Sequence, residues 1–323
     1  MKASRLVIIG LILVLAMALA AYWLAPGLSG DNNTVIIGVM GKTGPDSMTY
    51  AYGVEKGIFE KYGLDVVFSS CSDSYTKMVS LLAGNVDVIS TSTGIVASAY
   101  ADGENITIGM AMGMASNLML FVQPGYTDLE SLRGKRFGVM GTNSDSYRIT
   151  RWYLDGRGLD LETDVELVEI KNPASLYTSF ETGQLEAAVL LSGYAVEAMN
   201  SDGVVITTAT DAAEEIYGHP AYSTVLLVGD DLMGRKRVAD KYLRAINEIK
   251  EEILENTEEA IAIHAAFADE SPEKMGEVFD IITLVCDIDD SIKEDIIAFT
   301  DYGVAQGDFE KSFDEDVFYD GWK

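Results

Sequence analysis

The segment Gly141-Thr142-Asn143-Ser144-Asp145-Ser146-Tyr147-Arg148 gathers hydroxyls, an amide and one cation within eight residues. It follows the apolar run Arg136–Met140 and precedes a helical pattern. A strand that ends there and a helix that begins there present free backbone N–H groups, a ready site for an anion or polar group. Arg148 adds a cation one turn in. Asn143 or Ser144 is also the expected helix cap, so these hydroxyls have work with or without a ligand. Thr91-Ser92-Thr93-Gly94 stands in the same relation to the run Val86–Ser90. The two helix starts are predicted to converge when two halves of the chain close on each other. The predicted ligand set is Lys42, Thr43, Ser47, Ser70, Ser92, Thr93, Asn117, Thr142, Asn143, Ser144, Ser146, Arg148, Ser192, Tyr194 and Tyr222. Arg148 and Lys42 favour an anionic group, whereas Tyr50, Tyr147, Tyr194 and Tyr222 equally suit a flat ring.

The same residues exclude several chemistries. Gly41-Lys42-Thr43 resembles the end of a phosphate-binding loop, but that motif needs glycine where Ile36 stands, and Pro45 interrupts the following helix. Asp46, Asp73 and Asp145 lie in loops without a paired histidine or lysine base, so they read as caps or ligand acceptors, and no catalytic residue or cofactor is expected. His219 and His264 lie far apart with no Cys or His at ligand spacing, so no metal site is expected. His264 reads as a packing or surface residue of a helix. Cys71 and Cys286 allow one disulfide at most, and free thiols are the expected state.

The elements that must position these residues repeat. Gly38-Val39-Met40-Gly41 returns as Gly138-Val139-Met140-Gly141, Gly63-Leu64-Asp65 as Gly158-Leu159-Asp160, and Ala83-Gly84-Asn85-Val86-Asp87 as Thr182-Gly183-Gln184-Leu185-Glu186. Each half alternates short apolar runs with helical stretches, the pattern of parallel βαβ units. The prediction is an α/β fold of two lobes around a cleft, with ligand loops at the C-terminal ends of the strands. Residues 34–120 and 221–323 are predicted to form the first lobe and 121–220 the second. Hinge crossings are expected near Asn117–Gln123 and Ala221–Val228. Arg237–Phe267 reads as one long helix weakened at Asn256 and Thr257. Gly109–Met114 is a methionine-rich run read as core filling.

Lys2 and Arg5 precede an uncharged apolar stretch, Leu6–Leu24, which reads as a cleaved signal or an uncleaved membrane anchor over residues 1–33. The remainder is expected outside the cytoplasm. The net charge is −28, and the first thirty residues hold two cations and no acid, so the exported part carries about −30. That charge excludes nucleic acid as a partner, because phosphates need compensating cations.

The run Tyr52-Gly53-Val54-Glu55-Lys56-Gly57-Ile58-Phe59-Glu60-Lys61-Tyr62-Gly63-Leu64-Asp65-Val66 resembles the opening of substrate-binding proteins of ABC importers, in the nitrate, sulfonate, taurine and thiamine-precursor branch. The resemblance continues through Leu81-Leu82-Ala83-Gly84-Asn85-Val86-Asp87-Val88 and Asp128–Val139. It implies a two-lobed periplasmic-binding-protein fold, a small-molecule ligand and delivery to an ABC permease with its cytoplasmic ATPase, by a monomer. Relatives often carry a tryptophan-proline pair where this chain has Ser192-Gly193-Tyr194-Ala195, with Tyr194 as the replacement aromatic wall. The alternatives are an enzyme of cofactor biosynthesis on the same scaffold and a membrane-anchored ligand sensor.

Overall fold

Alternating buried and half-buried positions make Thr34–Val39 the first strand, β1. In this computed structural model residues 33–323 are described, apart from Thr43, Thr127 and Cys286. The expected signal or anchor therefore lies outside the described residues, as do candidate ligand residue Thr43 and any pairing of Cys286. Cys71 carries a free, buried thiol.

The first sheet contains β1, β2 (Asp65–Ser70), β3 (Val88–Thr91), β4 (Ile108–Met114) and β10 (Tyr222–Val228), in the order β2-β1-β3-β10-β4. The second contains β5 (Leu118–Val122), β6 (Arg136–Val139), β7 (Glu166–Glu169), β8 (Ala187–Leu191) and β9 (Val204–Thr208), in the order β7-β6-β8-β5-β9. The two orders are equivalent, strand for strand. β1 pairs parallel with β3, and β6 parallel with both β7 and β8. β10 lies antiparallel between β3 and β4, and β5 antiparallel between β8 and β9. These two are the strands by which the chain enters one sheet from the other. They arrive from the opposite side and so run against their neighbours, where the βαβ pattern alone predicts parallel pairing.

The internal repeat has a structural cause. Gly84 and Gly183 follow helices α3 (Ser74–Leu82) and α6 (Pro173–Glu181) with φ of 69° and 70°. Both end a helix in the left-handed conformation that glycine adopts without strain. Gly38 and Gly138 sit on the equivalent strands β1 and β6. A Cβ there would lie 2.9 Å from Ile89 Cγ2 and 2.5 Å from Leu185 Cδ1, respectively.

The other helices are α1 (Pro45–Glu55), α2 (Ile58–Lys61), α4 (Thr93–Ala101), α5 (Asp145–Asp155), α7 (Ser192–Asn200), α8 (Ala209–Tyr217), α9 (Asp230–Met233), α10 (Lys236–Glu255), α11 (Thr257–Ala268), α12 (Pro272–Asp280) and α13 (Asp290–Ala305). The expected long helix does break at Asn256, where φ is −125° and ψ 47°. Helices α10 and α11 pack on α1, whereas α12 packs on α7 and α13 on α8. The C-terminal helices thus touch both sheets' surroundings. Trp152 of α5, 2% exposed, meets Tyr217 of α8 and both Phe299 and Tyr302 of α13. Buried Lys250 of α10 donates to the carbonyls of Ala111 (2.8 Å) and Val285 (2.6 Å), and so ties β4 to the C-terminal segment.

Candidate functional site

β3 ends at Thr91, and α4 begins at Thr93 after Ser92, whose side chain makes no capping hydrogen bond. The cap comes from the other half of the chain. Asp145, the first residue of α5, accepts from Gly94 N through both carboxylate oxygens, at 2.9 and 3.1 Å. Its own helix is capped by Ser144, whose Oγ accepts from Tyr147 N at 3.2 Å. A carboxylate on the positive end of a helix is stabilised by about 0.3–2 kcal/mol. Asp145 is 3% exposed. Burial pushes its carboxyl up to about 6, against the opposing pull of Arg148 and the N–H groups of Gly94 and Thr93.

Arg148 lies 3.6 Å from Asp145, one helical turn on. Its Nη1 donates to Asn143 O at 2.6 Å, and its guanidinium stands 5.0 Å from the Phe309 ring centroid. It is buried, 7% exposed, and its Nη1 is held within the chain rather than offered to a ligand. Gly94 leaves no room for a side chain, since a Cβ would lie 2.1 Å from Asp145 Oδ1 and 2.5 Å from Arg148 Nη1.

Beside this seam, Thr93 Oγ1 donates to Tyr222 O at 2.8 Å. The Tyr222 hydroxyl donates to Asp295 Oδ2 at 3.1 Å, and Asp295 Oδ1 meets His219 Nδ1 at 2.8 Å. Asn117 Nδ2 donates to Ser192 Oγ at 3.0 Å. Ser192 has φ of 49°, a left-handed conformation that is uncommon for serine and clusters at functional sites. Thr91 Oγ1, Ser92 Oγ and Asn117 Oδ1 are buried with no hydrogen-bond partner among the described residues. Buried polar atoms without a partner are rare, and each calls for an explanation.

A larger cavity of about 790 Å³ opens at the C-terminal ends of β1 and β2, between α1 and α11. Met40, Tyr50, Phe68, Ile263 and Phe267 form much of its apolar wall, and its charged lining residues are Asp46, Glu55 and Glu259. Its volume lies in the range of small-molecule sites. Ser47 is on its wall, 7% exposed, with Oγ 3.2 Å from His264 Nε2. His264 Nε2 also reaches Lys42 O at 2.8 Å, so this fully buried histidine pins the loop before α1. Burial holds its imidazole below the usual histidine range.

The structure therefore brings Ser92, Thr93, Asn117, Arg148, Ser192 and Tyr222 to the seam, and Ser47 to the cavity beside it. The Lys42 ammonium is exposed, 5.6 Å from the Phe267 ring centroid. Ser70 and Asn143 are exposed. Ser144 and Ser146 bond each other at 3.0 Å. Thr142 lines a separate cavity of about 360 Å³ with Tyr147, Arg151, Glu162, Leu167 and Asp308. Tyr194 stacks on Tyr177, centroids 5.8 Å apart. Asp145, which reads in the sequence as a cap or a ligand acceptor, does cap a helix start, though α4 rather than its own helix. The Asp295–His219 pair and Phe309 are additions without a local signal.

Comparison with known proteins gives a consistent picture. The family described as "NMT1/THI5 like" matches residues 44–260. A Brucella abortus (strain 2308) protein, called a binding protein by name alone, is 24% identical over 255 residues, 78% of this chain and 77% of that protein. The alkanesulfonate-binding protein SsuA from Xanthomonas axonopodis pv. citri has a TM-score of 0.72 at 12% identity, over 89% of this chain and 98% of that one. The periplasmic aliphatic sulphonate binding protein SsuA from Escherichia coli has a TM-score of 0.70 at 15% identity, over 88% and 91%. At such identities the likeness is one of fold: two lobes of the periplasmic-binding-protein kind.

Proposed function

We propose that this chain, which belongs to the NMT1/THI5-like family, is the extracytoplasmic solute-binding component of an ABC importer. It captures a small polar or anionic molecule, of the sulfonate, nitrate, taurine or pyrimidine-like kind, between its lobes. It then presents the closed form to a permease with its cytoplasmic ATPase. We assign residues 34–120 and 221–323 to one lobe and 121–220 to the other. We place the protein outside the cytoplasm as a monomer, secreted or held at the membrane by residues 1–33. A reporter active only outside the cytoplasm, fused after residue 33, is expected to give signal.

One observation carries this reading. Gly94, just after strand β3 of one sheet, is bonded directly to Asp145, just after strand β6 of the other. Ligands of open α/β sheets bind at such strand ends, and two lobes joined by two strands close on them by rotation. The absence of turnover is part of the proposal, because a receptor returns its ligand unchanged.

The test is a thermal-shift screen of the purified full-length chain against taurine, alkanesulfonates, nitrate and aminopyrimidines. A bound solute at a hundred times its dissociation constant adds about 2.7 kcal/mol. A saturable rise in melting temperature, with the solute recovered intact, is the expected result. Chemical conversion of the solute would replace the receptor with an enzyme on the same fold.

A further inference from the structure

The interlobe seam already contains an anion. Asp145 reaches from α5 to the start of α4 and takes the Gly94 N–H with both oxygens, at 2.9 and 3.1 Å. Arg148, the cation that an acidic ligand would seek, lies 3.6 Å from the same carboxylate. Its Nη1 donates to Asn143 O, and the guanidinium stands 5.0 Å from the Phe309 ring centroid. Gly94 fits the carboxylate so closely that a single added methyl group would lie 2.1 Å from Asp145 Oδ1. Both devices that favour a bound anion, the helix start and the guanidinium, are thus directed at the chain's own side chain.

The neighbouring cavity points the same way independently. Its charged lining residues are all acids: Asp46, Glu55 and Glu259. Glu259 is paired with Lys56 at 3.0 Å, and Asp46 stands 3.9 Å from buried Lys77. Glu55 has no ion-pair partner among the described residues. The rest of the wall is apolar, with Tyr50 and Phe68 rings 5.8 Å apart.

We propose that Asp145 is an internal counter-anion that sets ligand class: it fills the place of a ligand's acidic group, so the protein takes an uncharged or cationic solute with an apolar body. This rests on the solute-binding reading and narrows it, since the sulfonate and nitrate classes would have to displace a carboxylate held by three contacts. Ligands that reach the seam meet neutral acceptors and donors, Ser92 Oγ, Thr91 Oγ1 and Asn117 Oδ1, rather than a free cation.

The experiment is calorimetry of the full-length chain with methanesulfonate and with sulfate at fixed sodium chloride, comparing wild type, Asp145→Ala, Asp145→Ser and Asp145→Ala/Arg148→Ala. Wild type is expected to give no saturable heat. The single variants vacate the seam and leave Arg148 unpaired, so methanesulfonate should bind at least tenfold tighter than to wild type, and the double variant should lose that gain. Asp145→Ser retains a hydroxyl for Gly94 N and provides the answer if Asp145→Ala does not fold. Wild type binding methanesulfonate as tightly as the variants would overturn the proposal. So would a folded variant that gains no anion site. The importer reading fails differently: no solute of any charge would then close the lobes, whatever the ratio between variant and wild type.

Discussion

Arg148 shows how a residue's chemistry and its placement can diverge. Its type and position one turn into a helix predict a ligand for an anion and a side chain dispensable for folding. Its burial and its partners reverse the second expectation. Arg148→Ala would leave the Asp145 carboxylate buried without its nearest cation, a loss of about 3–5 kcal/mol for a broken buried pair. Urea unfolding checks this, and an unchanged midpoint would contradict it. The pair was legible in the sequence as aspartate and arginine three apart on one helix face. The Gly94 contact was not, because 51 residues separate it from Asp145. Asp145 also predicts a pH effect. Its carboxyl is raised from 3.8 to about 6 in the folded chain, so the folded state holds the proton more tightly than the unfolded one. Its contribution is therefore full below pH 4, falls as pH rises toward 6, and is flat above that, a change of at most about 3 kcal/mol. Many other carboxylates titrate in that window. The difference in unfolding free energy between wild type and Asp145→Asn isolates this one, and wild type should lose ground as pH rises from 4 to 7. A difference independent of pH would mean that Asp145 ionises normally.

At the scale of elements, α4 and α5 meet because one supplies a bare glycine where the other supplies an acid. Gly94→Ala places a methyl group 2.1 Å from Asp145 Oδ1 and 2.5 Å from Arg148 Nη1. Within either lobe the helix would be unharmed, since alanine is the better helix former. The overlap is relieved by separating the two helix starts. The expected outcome is a chain that unfolds nearly as late as wild type but shows a larger radius of gyration in small-angle scattering. Equal radii would show that the contact yields locally. Elements with local signals were the legible ones: the glycine that ends α3 or α6, the break at Asn256, the strands flanked by helices. The strands β5 and β10 were recognisable as apolar crossings, yet their antiparallel pairing inside the sheets depends on which side the chain arrives from, and no window of residues encodes that. Nor does a window tell that α12 and α13 reach α7 and α8, helices that flank the second sheet. Those helices are amphipathic, and amphipathicity states that a face is buried without saying against what.

For the whole molecule, the repeat in the sequence corresponds to two sheets of equivalent strand order, and the chain passes between them twice. In the proposed receptor the two halves separate and close about these crossings, with ligand biasing the equilibrium between the two forms. The loops at the strand ends follow from the topology, and that much was legible in the repeat. Which loop residues face a ligand and which face each other was not, since that is decided by contacts between halves that fold far apart in sequence. The most direct measurement is hydrogen exchange of the full-length chain, followed by mass spectrometry, with and without a solute found saturable in the thermal-shift screen. Closure on a ligand predicts slowed exchange in both halves together: around Thr91–Ile95 in one and Asn143–Arg148 and Ser192–Tyr194 in the other. Protection confined to one half at saturating solute would contradict a cleft that closes.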